Sequence, residues 1–473
     1  MKRDYSAILL PALVVVSCLF PVYLAIFQPG YLNNTYLEAL IFFQVVVAAV
    51  WRYRQRFFPL LILVFVWAGT DVPLNTAWTT GRWFVLLVGA LIGFVIYIRD
   101  RAHSFTVFHL VAFFCVLSAL VSAVVSSYPE QAVLKALSLL LLFLYGAAGA
   151  RVAVAGREDR FFPGLLLSCE VLVYVTAVAY FVFHLAIFDN PNSLGAVMGV
   201  VIAPLMLWGV FIGEEHAIRR RRLVAFLLSA LLLFFSSARA GIFAGVVSCI
   251  LLCAALRRYQ LLTKVLGAAM VVLLALVVLV PQFADQTRSF TADALYKGHR
   301  EEGVLGSRRS PWQKSFAVIQ AHPWFGSGFG TSITPFRAAG AVKRYESAPQ
   351  ALREHGNSYL EIAEWVGVLG ALPFIALLLQ LSIHVARVLA WARRTGNAGH
   401  VAIPMASILV AGLIHATFED WLFAVGYYLC VFFWAIAFAL VDFLPKAEPA
   451  NQPVAIWTPR RPVPGYFAAA SHQ

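Results

Sequence analysis

Between residues 353 and 370 the chain reads R-E-H-G-N-S-Y-L-E-I-A-E-W-V-G-V-L-G, placing a base, acids and an amide beside a helix-start signal. A histidine that water can reach titrates near neutrality and suits general-base work, so His355 is the leading catalytic candidate. Ser358 and Glu361 have the S-x-x-E spacing of a capping box, which predicts a helix starting near Asn357. His355 and Gly356 then lie just ahead of a helix N-terminus, where free N–H groups and the dipole favour an anion. Gly356 permits a sharp turn or a close approach. The plainer alternative is a loop histidine that only hydrogen-bonds the cap.

Arg239, in S-S-A-R-A-G (236–241), sits between two apolar runs. A guanidinium at mid-helix costs roughly 2.5–3.5 kcal/mol on insertion scales, but at a helix end it can reach the interface cheaply. Its small neighbours predict close packing and favour a pocket. Arg308 and Arg309 open the segment G-S-R-R-S-P-W-Q-K-S-F-A-V-I-Q-A-H-P-W-F-G-S-G-F-G (306–330). Within it, 311–321 reads as a short amphipathic helix with Pro311 at its start, docking through Trp312, Phe316 and Ile319. The glycines at 326, 328 and 330 make a close-approach loop with only a weak likeness to a phosphate cradle, since no strand precedes it. Asn192 in D-N-P-N-S and Glu419 in F-E-D-W are secondary candidates. Glu170, His109 and His184 lie in apolar runs and suit either a pathway or internal hydrogen bonding. The chain has no D-x-D, H-E-x-x-H, Walker loop or C-x-x-C, so metal-dependent sugar-nucleotide transfer, zinc hydrolysis and ATP-driven transport lose support.

These residues need a membrane-embedded frame. Of 473 residues 61% are hydrophobic and 12% charged, with mean hydropathy +0.80, which marks a polytopic membrane protein. The fold class expected is all-α, a transmembrane bundle of 12–14 helices. Candidate spans are 7–27, 36–51, 57–70, 82–98, 105–126, 133–150, 161–188, 194–213, 223–237, 240–256, 265–282, 358–386, 401–418 and 422–442. Lysine and arginine clusters, among them Arg52 to Arg56, Arg219 to Arg222, Arg257-Arg258 and Arg393-Arg394, fall on one side of this alternation. By the positive-inside rule that side is cytoplasmic, with both termini inside. The domain plan is 1–282 transmembrane, 283–357 a large outer-face loop, 358–442 transmembrane and 443–473 a proline-rich disordered tail. The loop carries ten Lys/Arg against six Asp/Glu, which favours an anionic partner or a lipid-headgroup surface. The six cysteines all fall in apolar runs and read as small buried groups rather than a disulfide scaffold.

Taken together, the segments resemble the O-antigen ligase and polymerase superfamily. Its ligases carry His-(Asn/Ser/Gln), nine residues, Gly, two residues, Gly; here Asn357 is followed by nine residues and then Gly367, Val368, Leu369 and Gly370. Gly356 stands where the histidine of that pattern would be, so His355 comes one residue early. In coil the glycine absorbs the offset, whereas in a helix it would rotate His355 by about 100 degrees. D-N-P-N-S-L-G (189–195), S-S-A-R-A-G, R-R-S-P-W…H-P-W-F-G-S-G-F-G and F-E-D-W are similar to further segments of the superfamily, and the resemblance covers roughly 185–440.

That resemblance implies a GT-C-like fold with a periplasmic loop in the bacterial inner membrane. It also implies metal-independent, inverting glycan transfer from an undecaprenyl diphosphate carrier to an acceptor hydroxyl. The acceptor would be lipid A-core in a ligase, or a growing lipid-linked glycan in a Wzy-type polymerase of O-antigen, capsule or exopolysaccharide. Arg239, Arg308 and Arg309 would neutralise the departing diphosphate and His355 would deprotonate the acceptor, with Asn357, Asn192 and Glu419 as secondary candidates and no cofactor or metal. A transporter or flippase of an anionic lipid or solute is the alternative from another class; it should show a repeat between halves, and none is evident.

Overall fold

The computed structural model describes residues 75–99, 105–185, 187–188, 190–260, 306–331 and 355–445, together with 27 and 263. The expected spans 36–51, 57–70 and 265–282, nearly all of 7–27, and most of the loop 283–357 and the tail 443–473 lie outside the described residues. The regular elements of the described chain are all helices, with no strand among the described residues, and the protein is an all-α membrane protein.

Its helices are α1 (Asn75–Arg99), α2 (Val107–Val125), α3 (Pro129–Val154), α4 (Glu158–Phe181), α5 (Pro191–Ile212) and α6 (His216–Phe235). They continue as α7 (Arg239–Ala255), α8 (Gly306–Ala321), α9 (Ser358–Thr395), α10 (Ala402–His415) and α11 (Tyr428–Leu440). Five of them (α2, α3, α4, α5 and α9) are long and apolar enough to cross a membrane; α7, α10 and α11 are shorter apolar helices. Leu110, Phe113, Leu117 and Val121 make an exposed apolar stripe on α2, the expected lipid-facing side, while Ala112, Cys115, Val116 and Ala119 are buried against its neighbours.

The alternation of helices gives the bundle a basic end and a second end that gathers the starts of α3, α5, α7, α9 and α11. At the basic end Arg151 makes a bidentate pair with Asp442, at 2.7 and 2.5 Å. The same guanidinium lies 2.9 Å from His109 Nε2, whose Nδ1 meets Thr106 at the start of α2. Glu170 of α4 is likewise paired, 2.5 Å from Arg221. His109 and Glu170 therefore tie helices together rather than line a pathway.

Small residues set the geometry of the opposite end. α5 carries Gly195 and Gly199, and α7 carries Gly241 and Gly245, both in the G-x-x-x-G spacing that lets helix backbones touch. A Cβ on Gly199 would lie 2.2 Å from Gly241 O, and one on Gly195 2.1 Å from the Ala238 Cβ. This crossing brings the start of α7, and with it Arg239, beside the start of α5.

α9 is broken where it enters the bundle. Gly367 has φ 69° and ψ −177°, a conformation outside the helix, so the carbonyls before it and the amide after it lose their helical partners. The 322–331 loop supplies replacements. Ser327 N donates to Glu364 O at 2.9 Å, Gly328 N to Trp365 O at 3.1 Å, and Val368 N donates to Pro323 O at 2.7 Å. Irregular backbone at such a depth is stable only when protein buries it and satisfies it in this way. The contact is close on both sides: a Cβ on Gly326 would meet Trp365 O at 2.2 Å, and one on Gly367 would meet Trp324 at 2.5 Å.

Candidate active site at the helix starts

Asn357 caps α9, its Oδ1 accepting from Tyr359 N at 2.9 Å and Leu360 N at 3.1 Å. The helix thus starts where the sequence predicts, but the capping box does not form. Ser358 turns instead to the link between α10 and α11: its Oγ donates to Glu419 O and accepts from the amides of Trp421 and Leu422. The helix α11 begins at Tyr428, later than the expected start at 422. The first-turn amides of α9 are also taken, Ser358 N by the carbonyls of Ala416 and Glu419 and Glu361 N by Asn357 O. The expected anion site on this helix N-terminus is therefore closed by the protein itself.

Freed from the cap, Glu361 faces His355. His355 is 2% exposed, so the expectation of a water-reachable histidine does not hold. Its Nε2 lies 3.2 Å from Glu364, and its Nδ1 lies 3.6 Å from both Glu361 and Asp420. Its backbone N–H donates to Asp420 Oδ2 at 2.5 Å, and Trp365 packs edge-on against the ring at 5.8 Å. Burial disfavours the imidazolium, but hydrogen bonds to Asp420 and Glu364 and the charges of Glu361 and Glu364 outweigh it and lift His355 to about 9. Burial also opposes the Asp420 carboxylate, yet the His355 ring and the amides of His355 and Gly356 hold it below the usual carboxylate range. At neutral pH His355 is thus a held cation, where near-neutral titration was expected.

Gly356 lies in a turn, not in the helix. The segment before α9 is coil, and Gly356 has φ 64°, a left-handed turn that L side chains rarely adopt. It also leaves room for Arg308, whose Nη1 would lie 2.8 Å from a Cβ at this position. Trp312 of α8 donates from Nε1 to Gly356 O at 3.2 Å, holding the same turn from above.

α8 is longer than predicted, with Pro311 inside it instead of at its start. Its buried side is Ser315 and Val318 beside Trp312, while Phe316 is 52% exposed. Ser315 and Val318 share one face of α8, and Phe316, about 100 degrees around from Ser315, falls outside it. Arg308, one turn before Trp312, pairs with Glu419. Arg239 lies within electrostatic reach of both Arg308 and Glu419, and Phe243 of α7 packs edge-on against Phe418 at 6.1 Å. Arg309 is exposed and about 100 degrees around α8 from Arg308.

Asn192 lies in the first turn of α5, where its amide N–H donates to the Asn190 cap at 2.8 Å. Its neighbour Ser193 is reached by Tyr427 OH and Tyr428 OH, each at 3.4 Å. Arg82 Nη1 donates to Gly426 O at 2.8 Å, fixing the link from α1. The structure thus brings Arg239, Arg308 and Glu419 together, sets His355 and Asn357 beneath them as buried or capping groups, and leaves Arg309 outside. Glu364, Asp420 and Tyr427 are site residues that the sequence reading missed. Two acids three residues apart in the first turns of an apolar helix were the available signal for Glu361 and Glu364.

Among the described residues His355, Glu361 and Asp420 also form a group whose ligand atoms lie within 4.8 Å of one another, a donor set a divalent cation accepts. No sequence spacing reveals it, since Asp420 comes from a different link. The His355 ring is the group that the Asp420 carboxylate meets here.

Residues 224–375 match the family model described as O-antigen ligase. The match spans Arg239, Arg308, Arg309, His355 and Asn357 and stops short of Glu419 on one side and Asn192 on the other. No curated protein matches the chain at a significant level.

Proposed function

We propose, from the match of residues 224–375 to the family model described as O-antigen ligase, that this chain transfers a glycan from a polyprenyl diphosphate carrier to an acceptor hydroxyl. The observation that carries the reading is the convergence of Arg239 and Arg308, from separate helices, at the end of the bundle away from the basic loops. Attack at the anomeric carbon expels a diphosphate, and the two guanidinium groups meet its growing charge through charge-assisted hydrogen bonds. Arg309 is a less central contact, for a phosphate or a lipid headgroup at the exposed face of α8. The polyprenyl chain lies against the apolar helix surfaces, which is the physical reason for a glycan transferase to be built in a membrane.

By the positive-inside rule this end faces the periplasm of a bacterial inner membrane, with both termini in the cytoplasm. Metal independence and inversion belong to the same proposal. His355, protonated and held by Glu364 and Asp420, serves here to position the Glu419–Asp420 turn and the Gly356 seat of Arg308, in place of the base role read from sequence. Asn357 acts as a cap, and Asn192 borders the site from α5.

Reconstitution of the purified chain with a polyprenyl-diphosphate glycan tests the reading. Transfer to added lipid A-core identifies a ligase, and elongation without it identifies a polymerase. Wild-type turnover in the Arg239→Ala/Arg308→Ala double variant would remove the diphosphate clamp from the proposal.

A further inference from the structure

Among the described residues the buried histidine cluster is poorly placed to take the acceptor's proton. His355 is 2% exposed and its ring nitrogens face Glu364, Glu361 and Asp420. Glu361 and Glu364 are 3% and 0% exposed and lie behind it. Asp420 is committed to the His355 amide and ring. Glu419 differs: its side chain is 16% exposed and meets Arg308, itself 15% exposed, at the surface of the cluster.

The backbone of Glu419 is fixed, and its carboxylate pairs with Arg308. Its carbonyl accepts from Ser358 N at 3.1 Å and from Ser358 Oγ at 2.8 Å, which anchors the turn to the start of α9. The carboxylate reaches outward to Arg308, with Arg239 within reach of the same charge. A carboxylate on an arginine is an anion in an anion site. A diphosphate, with more charge and more acceptor oxygens, competes for the same guanidinium fork.

Resting on the glycan-transfer reading, we propose that the Arg308–Glu419 pair is the closed, substrate-free form of the site, and that Glu419 is the catalytic base released when the donor diphosphate takes Arg308. Loss of its arginine partner and the approach of phosphate charge both raise the proton affinity of the freed carboxylate, so Glu419 becomes basic only when donor is bound. The acceptor O–H proton passes to a Glu419 carboxylate oxygen as the acceptor oxygen bonds to the anomeric carbon. The bond from that carbon to the phosphate oxygen breaks, and its electron pair leaves with the diphosphate between Arg239 and Arg308. Glu419-H then returns its proton to water and re-forms the pair with Arg308 as polyprenyl diphosphate departs.

The experiment measures binding of polyprenyl diphosphate and glycan turnover on the detergent-solubilised full chain. Glu419→Gln removes both the competitor and the base. The expected result is donor-site affinity several-fold tighter than wild type, with turnover down by about 10²- to 10⁴-fold. Turnover within threefold of wild type, or weaker binding of polyprenyl diphosphate by a variant that melts like wild type, overturns the proposal. If the glutamine variant does not fold, Glu419→Asp keeps the charge on a shorter arm. Tighter binding with at least tenfold slower turnover supports the proposal, and wild-type values on both counts overturn it. Absence of glycan transfer by the wild-type chain with every acceptor tried would instead sink the glycan-transfer reading itself.

Discussion

His355 and Asp420, 65 residues apart, are joined twice: the backbone N–H of the histidine donates to Asp420 Oδ2 at 2.5 Å, and its ring nitrogen lies 3.6 Å from the same oxygen. This double contact locks the coil before α9 to the link between α10 and α11. Arg308 and Glu419 meet above that junction.

The junction predicts a pH dependence of stability. His355 titrates near 6.5 in an unfolded chain and at about 9 here, between Glu361, Glu364 and Asp420. A raised pKa contributes stability that is complete below about pH 6.5 and is lost as pH rises through about 9. Thermal melts of the solubilised protein should therefore show a larger fall in Tm between pH 7 and pH 10 for wild type than for His355→Gln. The variant should already melt lower at pH 7. Parallel pH profiles for the two proteins would show that the histidine is not held as a cation.

Gly356 should matter for the donor more than for folding. Alanine there must adopt φ 64° and place its Cβ 2.8 Å from Arg308 Nη1. The expected outcome for Gly356→Ala is a destabilisation of about 1–2 kcal/mol, seen as a small Tm shift. The KM for the lipid-linked donor should rise at least tenfold because Arg308 is displaced. An unchanged KM would mean that Arg308 does not depend on this seat.

The seam between the 322–331 loop and the break in α9 should be intolerant of added volume. Gly326→Ala brings a Cβ to 2.2 Å from Trp365 O at a positive φ. Undocking the loop leaves the Glu364 and Trp365 carbonyls without the amides that now reach them. A loss of about 3 kcal/mol or more is expected, with protease cleavage within 322–331 as a local readout. Protection equal to wild type would show that the loop can shift without opening.

Arg151 and Asp442 provide a control at the other end of the bundle. Breaking a buried ion pair by removing one partner costs about 3–5 kcal/mol. Arg151→Ala should lower Tm by several degrees while leaving the donor KM unchanged. A raised KM would show that the two ends of the bundle are coupled.

The glycine crossing of α5 and α7 is expected to control the place of Arg239. Gly241→Leu forces apart backbones that now approach within a Cβ distance of 2.4 Å between Gly241 and Gly195 O. Turnover should fall by more than tenfold even if the variant still folds, because Arg239 starts the displaced helix. Wild-type turnover in a folded Gly241→Leu protein would count against Arg239 as a diphosphate ligand.

Hydrophobic runs and loop charge were enough to determine an all-α membrane bundle, because a backbone in lipid must satisfy its own hydrogen bonds and helices do so locally. The arginine candidates were legible for the same reason, since a charge beside an apolar run stands out against its cost. The partners were not legible. Ser358 could cap its own helix or bind a distant turn, and tertiary structure chose the turn, leaving the cap to Asn357. Whether His355 met water or carboxylates depended on Asp420, 65 residues away, and on Glu361 and Glu364 facing inward. Burial decides whether such a histidine is a base or a held cation, and burial is a property of the packed helices, which no local spacing encodes.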